Sequence, residues 1–300
     1  MERLLYFGNS GILKGEIRLM RKKDENLYNA HMSNGTERTE RTEKTLSMRE
    51  SKEMLYVLPD NAQEIGYRSE QQDYFSYSDL MDFDEIAELG CVAVLGDGMG
   101  GMENGRNASI TGVKTFLDVY SDNMHNGVAL PDAMLDALYA ANDAVLNDSG
   151  SGSTLIGAVV KKNKLNWISV GDSHLYLYRN GLLRQLNKDH IYAEILDDMC
   201  AAGEISREEA LNNPERGALT SYLGVPEIEL IDVNEQPVPL RMGDIVVLCT
   251  DGLYRALSNE EISKILSSDT EEKAQALVDA AMLKQYEGQD NTTVVLLKII

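Results

Sequence analysis

From residue 54 onward the chain carries two hydrophobic rhythms. Short, nearly continuous apolar runs rich in β-branched residues recur at 91–95, 155–160, 165–170, 175–178, 245–249 and 293–299 and predict strands. Runs 155–160 and 165–170 are separated only by residues 161–164, which is hairpin spacing. Asn180-Gly181 between Tyr178-Arg179 and Leu182-Leu183 is a two-residue hairpin signal. Connections this short join antiparallel neighbours and leave no room for βαβ crossovers. The second rhythm is helical. Pro131 opens a segment whose Met134, Leu135, Leu138, Ala141, Val145 and Leu146 share one face, and another helix is expected over 271–286. The pattern predicts an α+β domain, antiparallel sheet with helices laid outside it.

Two segments depart from these rhythms. Residues 189–226 are polar and helical, with Ser206 and Glu209 spaced as a capping box and Asn213-Pro214 closing the short helix. Lying between strand regions, this insertion reads equally as a mobile lid or as an ordinary surface excursion. Residues 33–53 carry a period-three repeat, Thr36-Glu37-Arg38, Thr39-Glu40-Arg41 and Thr42-Glu43-Lys44, with almost no apolar side chains. Such a segment cannot offset the entropy of ordering and reads as a linker. A hairpin around Asn9-Ser10-Gly11 would be marginal alone. The expected organisation is an N-terminal extension over 1–53 and a folded domain over 54–300.

The 300-residue chain has a net charge of −21. Residues 1–53 hold 11 basic and 9 acidic side chains, so the acidity belongs to 54–300. A body this acidic is repelled by nucleic acid and by anionic membrane surfaces. No stretch approaches the roughly 20 apolar residues of a membrane span. Leu4-Leu5-Tyr6-Phe7 is cut short by Gly8-Asn9-Ser10-Gly11, too early for the core of a secretion signal. Cys91, Cys200 and Cys249 are odd in number and widely spaced, which fits reduced thiols in a cytoplasmic protein.

Against that background the aspartates stand out. Asp97 follows the apolar run 91–95 inside Gly96-Asp97-Gly98-Met99-Gly100-Gly101. Asp172 follows 165–170 in Gly171-Asp172-Ser173, and Asp251 follows 245–249 in Thr250-Asp251-Gly252. Asp290 precedes the last strand, and Asp73 precedes a short apolar stretch. One Asp-Gly at a strand end is ordinarily a turn. Several in one sheet bring like charges to one rim, an arrangement that divalent cations neutralise. All-oxygen donors favour Mg²⁺ or Mn²⁺ over zinc, and no His/Cys pair has zinc-ligand spacing.

Arg68 with Asp73, Gly96-Asp97-Gly98-Met99-Gly100-Gly101, Gly152-Ser153-Thr154-Leu155, Gly171-Asp172-Ser173, Cys249-Thr250-Asp251-Gly252-Leu253 and Asp290-Asn291-Thr292-Thr293-Val294-Val295 occur in an order that resembles the bacterial metal-dependent Ser/Thr protein phosphatases of type 2C. The resemblance spans about 60–300, and residues 189–226 resemble that family's flap. It implies a four-layer α-β-β-α sandwich and hydrolysis of phosphoserine and phosphothreonine in proteins by a metal-bridged hydroxide, without a phosphoenzyme. It further implies that Asp73, Asp97, Asp251 and Asp290 hold two Mg²⁺ or Mn²⁺ ions, with the backbone carbonyl of Gly98. Asp172 and Asp251 would hold a third, weaker ion, and Arg68 would grip the substrate phosphate. The implied partners are phosphoproteins made by Ser/Thr kinases. Gln72, His174 and Asn213 depart from residues common in the family, and Met99 stands where many eukaryotic members carry histidine and bacterial members commonly methionine; none is an implied direct metal ligand.

Rival readings are weaker. Gly96-x-Gly98-x-x-Gly101 matches a dinucleotide fingerprint but sets Asp97 against a pyrophosphate. Cys249 and Arg255 have the spacing of a cysteine-dependent phosphatase loop, yet Asp251 beside the thiol would raise its pKa. Ser149, Ser151 and Ser153 have no paired base. His31, His125, His174 and His190 lack ligand spacing and read as packing or surface residues. A non-catalytic binding module on the same fold is the remaining alternative, opposed by the presence of all five matching aspartates.

Overall fold

The computed structural model describes residues 55–99, 103–148, 150–284 and 288–300. The expected linker over 33–53, the hairpin near residue 10, and Gly100, Gly101 and Ser149 lie outside them. In chain order the strands are β1 (Val57–Glu64), β2 (Asp73–Tyr77), β3 (Cys91–Met99), β4 (Gly152–Ser153), β5 (Leu155–Lys161), β6 (Lys164–Val170), β7 (His174–Arg179), β8 (Leu182–Gln185), β9 (Asp232–Val233), β10 (Val238–Pro239), β11 (Ile245–Cys249) and β12 (Thr292–Ile299). The helices are α1 (Phe83–Leu89), α2 (Glu103–His125), α3 (Leu130–Asp148), α4 (Tyr192–Ala201), α5 (Arg207–Asn212), α6 (Asp251–Tyr254), α7 (Asn259–Leu266) and α8 (Lys273–Met282). Among the described residues no helix is long and apolar enough to cross a membrane.

The strands form two sheets. One runs β1-β12-β11-β7-β8, the other β10-β6-β5-β3-β2 with β4 beside β3 and β9 beside β6. Every pairing is antiparallel. Alternation along the strands explains the layers. On β3, Val92 and Val94 face the helices α2 and α3, while Cys91, Ala93 and Leu95 face the other sheet. On β11, Ile245, Val247 and Cys249 pack toward α7 and α8, while Val246 and Leu248 point between the sheets. The strands are buried on both faces and therefore read as continuous apolar runs. The result is the four-layer α-β-β-α sandwich.

Both hairpins form as expected. Lys162 and Asn163 have φ of 49° and 60°, and Asn180 and Gly181 have φ of 52° and 83°. Positive φ at both central residues matches the right-handed twist of the strands they join. The capping box at Ser206 and Glu209 is present, and Asn213 turns extended to end α5.

The structure differs from the sequence-based expectation at four places. Asp97 lies within β3, because that strand runs on to Met99. Pairing with β2 on one side and β4 on the other keeps its glycine-rich end extended. The helix expected over 271–286 is described as Lys273–Met282. Strand β1, with Pro59, Asp60 and Asn61, reads poorly as β; it is an edge strand on β12, where proline is tolerated. Helix α2 contains Gly105, Gly112 and several β-branched residues, all weak helix formers. Packing overrides that propensity, with Ala108, Val113, Phe116, Tyr120 and Met124 buried along its inner face. Gly112 is there for space: a Cβ would lie 2.7 Å from Leu223 Cδ1.

Candidate functional site

The two sheets meet at one end through Asp73. As the first residue of β2 it sits in register opposite Asp97 of β3. From the other sheet, Thr250 Oγ1 at 2.9 Å and Thr293 Oγ1 at 2.7 Å both donate to Asp73 Oδ2. These threonines are tied to one another, since the Thr293 amide donates to Thr250 Oγ1 at 3.0 Å. Asp73 Oδ2 is thus fully committed, while buried Asp73 Oδ1 has no hydrogen-bond partner.

Asp251 starts α6 directly after β11, and Asp290 stands two residues before β12. Asp251 Oδ2 takes an ion pair from Arg255 at 3.0 Å, and its buried Oδ1 also lacks a hydrogen-bond partner. Arg255 reaches Asp172 at 3.6 Å, and Asp172 accepts from Tyr254 Oη at 3.2 Å. Arg68, more than half exposed, lies 2.5 Å from Asp290 Oδ2. The sequence-predicted residues therefore come together at one end of the sandwich, with guanidiniums on the outer carboxylates.

The electrostatics agree. Burial pushes Asp73 up to about 7 against the Thr293 and Thr250 hydrogen bonds, with the charges of Asp251 and Asp290 adding to the rise. Burial raises Asp97 well above the carboxylate range, reinforced by Asp73, Asp251, Asp172 and Asp290. Asp251 is raised to about 6 by burial, with Arg255 opposing and Asp172 and Asp290 contributing. Asp172 is raised by burial.

Among the described residues no three His, Cys, Asp or Glu side chains form a ready-made metal-binding group. Donor chemistry and orphaned oxygens nevertheless suit hard divalent cations. Asp73 Oδ1 and Asp251 Oδ1 are buried acceptors without donors, inside a set of carboxylates that raise one another's pKa. The cluster also predicts a pH dependence. In the folded chain Asp73 and Asp251 keep their protons to higher pH than the ordinary value of about 3.9 in an unfolded one. The folded state then binds more protons, so this contribution is full below about pH 4 and is lost as pH rises through 6 to 7. In EDTA the melting temperature is expected to be higher at about pH 6 than at pH 8, and saturating Mn²⁺ should remove the difference. A melting temperature in EDTA that rises with pH over this interval would contradict the buried-carboxylate account.

Backbone carbonyls and amides complete the frame. The Gly98 amide donates to Gln72 O at 3.2 Å, and Ser109 Oγ donates to the same oxygen at 2.6 Å. Thr154 and Asp97 are linked twice: Asp97 N donates to Thr154 Oγ1 and Thr154 N to Asp97 O, both at 2.9 Å. Asn291 stitches the Arg68 loop to this end, accepting from Gln72 N at 2.8 Å and donating to Ile65 O at 2.8 Å and Glu70 O at 3.0 Å. Sequence reasoning assigned no role to Thr154, Thr250, Thr293 or Asn291. Their signal was position alone, a hydroxyl or amide inside each aspartate motif.

The rival nucleophiles do not fit. Burial, with Asp251 next, drives the Cys249 thiol far above its normal pKa. Ser151 Oγ donates to Met99 O, and Ser153 Oγ bonds the carbonyls of Asp97 and Thr154. His174 and His190 are packing residues as read, but with partners: His190 Nδ1 accepts from the Gly171 amide at 3.3 Å, and its own amide donates to Gly171 O at 3.0 Å.

The chain is similar to known proteins in sequence and in fold. A family model described as protein phosphatase 2C matches residues 65–286. The chain is 32% identical over 218 residues to the serine/threonine phosphatase Stp of Listeria monocytogenes, covering 69% of this chain and 84% of the relative. Among solved structures, the Streptococcus agalactiae serine/threonine phosphatase superposes with a TM-score of 0.66 at 26% identity, covering 81% of this chain and 99% of that one. The catalytic domain of the serine/threonine protein phosphatase PstP, in complex with two manganese ions, gives 0.64 at 26% identity over 82% of this chain and 100% of that one.

Proposed function

The chain belongs to the protein phosphatase 2C family and is a Ser/Thr protein phosphatase, and we propose that Asp73, Asp97, Asp251 and Asp290, with the Gly98 carbonyl, hold its two catalytic cations. The observation that carries this reading is the pair of buried, partnerless oxygens, Asp73 Oδ1 and Asp251 Oδ1, within a cluster of carboxylates. Mg²⁺ or Mn²⁺ suits the all-oxygen donor set, and Asp172 with Asp251 would take a third, weaker ion. When bound, such cations lower the pKa of water and draw charge from phosphoryl oxygens.

The chain's own residues supply orientation and substrate grip. Thr250 and Thr293 pin Asp73 so that its free oxygen has one direction. Arg68, anchored on Asp290 by one nitrogen and more than half exposed, is a guanidinium at this end whose planar donors suit a phosphate dianion. Hydrolysis breaks the bond from phosphorus to the seryl or threonyl oxygen, water supplies the new P–O bond, and the released alkoxide is protonated. No serine or cysteine nucleophile is prepared among the described residues, which supports transfer directly to water.

Three buried or half-buried free thiols support a reducing, cytoplasmic setting. The family match begins at residue 65, which supports a catalytic unit over 54–300. Its substrates are phosphoproteins, and Ser/Thr kinases are the enzymes whose products it would reverse.

The test is hydrolysis of a phosphothreonine peptide by the full chain with Mn²⁺, with excess EDTA, and with Cys249→Ser. Activity should need the cation and persist in Cys249→Ser. An Arg68→Ala variant should raise KM about 10-fold or more through loss of a charge-assisted pair. Turnover that survives EDTA and disappears with Cys249→Ser would overturn the reading. A folded chain inactive under every condition would instead favour a binding module.

A further inference from the structure

The base of the 189–226 insertion is tied to the outer carboxylate Asp172 through a side-chain stack. His174, 7% exposed and two residues beyond Asp172, lies between Tyr176, Tyr254 and Asp189. Its Nε2 is 3.1 and 3.2 Å from the two oxygens of Asp189, and its Nδ1 is 2.6 Å from Tyr176 Oη. One tautomer satisfies both ends: Nε2–H donates to Asp189 and Tyr176 O–H donates to Nδ1. Asp189 is held from its other side by Gln185 Nε2 at 2.7 Å. The imidazole is therefore fixed in plane by two groups, Tyr176 and Asp189, the second itself held by Gln185.

On that fixed ring rests Tyr254. The two rings stack with centroids 3.6 Å apart and planes 14° from parallel. The phenol at the far end of Tyr254 donates to Asp172 Oδ2 at 3.2 Å. A phenol has freedom about two side-chain torsions, and a flat neighbour beneath it removes most of that freedom. Arg255, the other group on Asp172, is more than half exposed and stands 3.6 Å away, too far for a hydrogen bond. Among side chains, the hydrogen bond orienting Asp172 thus comes from Tyr254, whose ring rests on His174.

We infer that His174 is a positioning residue: through its stack on Tyr254 it orients Asp172 for the weaker cation, and through Asp189 it couples that carboxylate to the 189–226 insertion. This rests on the cation assignment proposed above. His174 is one of the positions at which the chain departs from residues common in the family it resembles. Nothing here depends on His174 changing its charge. An outer hydrogen bond of this kind governs how well a carboxylate presents itself to a cation, and its loss costs about 10-fold or more in affinity.

The experiment titrates the purified full chain with Mn²⁺, reading bound ion by electron paramagnetic resonance, with amide hydrogen exchange over 189–226 measured in parallel. Wild type should show two tighter ions and one weaker. His174→Ala should weaken the weakest class about 10-fold, leave the tighter classes within twofold, and raise exchange across 189–226. Tyr254→Phe keeps the stack and removes the phenol; it should reproduce the cation loss without the rise in exchange. His174→Phe, which restores a ring beneath Tyr254 but not the bond to Asp189, should recover the weak class to within about threefold while exchange stays high. A folded His174→Ala protein with all ion classes unchanged, or with all weakened alike, would overturn the inference. So would Tyr254→Phe binding like wild type. A wild type that binds no Mn²⁺ and hydrolyses no phosphopeptide would mark the failure of the cation assignment itself, and this inference would fall with it.

Discussion

Asp97→Asn is expected to lower kcat/KM for a phosphothreonine peptide by at least about 10³-fold, roughly 4 kcal/mol of transition-state stabilisation, while raising the melting temperature of the cation-free protein. The two effects come from one cause. Asp97 is disfavoured as an anion first by burial and then by the charges of Asp73, Asp251, Asp172 and Asp290. An amide of the same shape removes that repulsion and keeps the backbone pairing with Asp73 and Thr154 intact. It also removes a hard anionic donor from the proposed cation site. Stability should rise by about 1–3 kcal/mol, and each kcal/mol is worth about 2–4 °C in a domain of this size. Kinetics at saturating Mn²⁺ and calorimetry in EDTA measure the two. An inactive variant that melts lower than wild type would show only damage to the fold. A variant within tenfold of wild-type activity would remove Asp97 from the site.

The second large effect is steric. Gly98 lies where β3 passes the first turn of α2, and a Cβ there would press into the Gly105 carbonyl and sit 2.7 Å from Gln72 O. Both obstacles are backbone, held by the Gly98 amide bond to Gln72 and by Ser109 Oγ on the same carbonyl. Gly98→Ala must therefore separate β3 from α2 at the residue whose carbonyl is proposed to face the cations. A loss of about 3 kcal/mol or more in stability is expected. Turnover should fall about 100-fold or further in whatever protein remains folded, as misplacement of a site by ~1 Å does. Gly217→Ala is the control, because nothing lies within 4 Å of its Cβ position. Its melting temperature should stay within about 1–2 °C of wild type; equal losses in both variants would refute the steric argument.

The parts of this molecule that were readable in advance share a physical trait. Strands β5, β6, β7, β11 and β12 are buried on both faces, so each carries a nearly continuous apolar run. The hairpin turns at Lys162-Asn163 and Asn180-Gly181 need positive φ, and their residues advertise it. Helix α2 was not readable because its local preferences oppose a helix; glycines serve close packing, and tertiary burial of Phe116 and Tyr120 supplies the stability. Within the site, aspartates announced themselves by recurring at strand ends. The Thr250 and Thr293 hydroxyls did not, because their role exists only once β11 and β12 lie side by side with Asp73 arriving from the opposite sheet. The same holds for the His174–Tyr254 stack, which joins residues 80 positions apart.

Strand β12 sits between β1 and β11, and its nearest register partners with β1, Glu64 and Thr292, are 228 positions apart. At about 5–20 residues per second, a ribosome needs roughly 10–50 s to reach β12 after releasing β1. During that interval β1 has no mate, β11 is missing one side, and Asp290 and Thr293 have not yet been synthesised. The nascent chain is therefore without activity, however well its second sheet has formed. It also presents unpaired apolar strand edges to the crowded cell. Synthesis of this enzyme should accordingly depend on chaperones that shield β1 and β11 until the strand between them arrives.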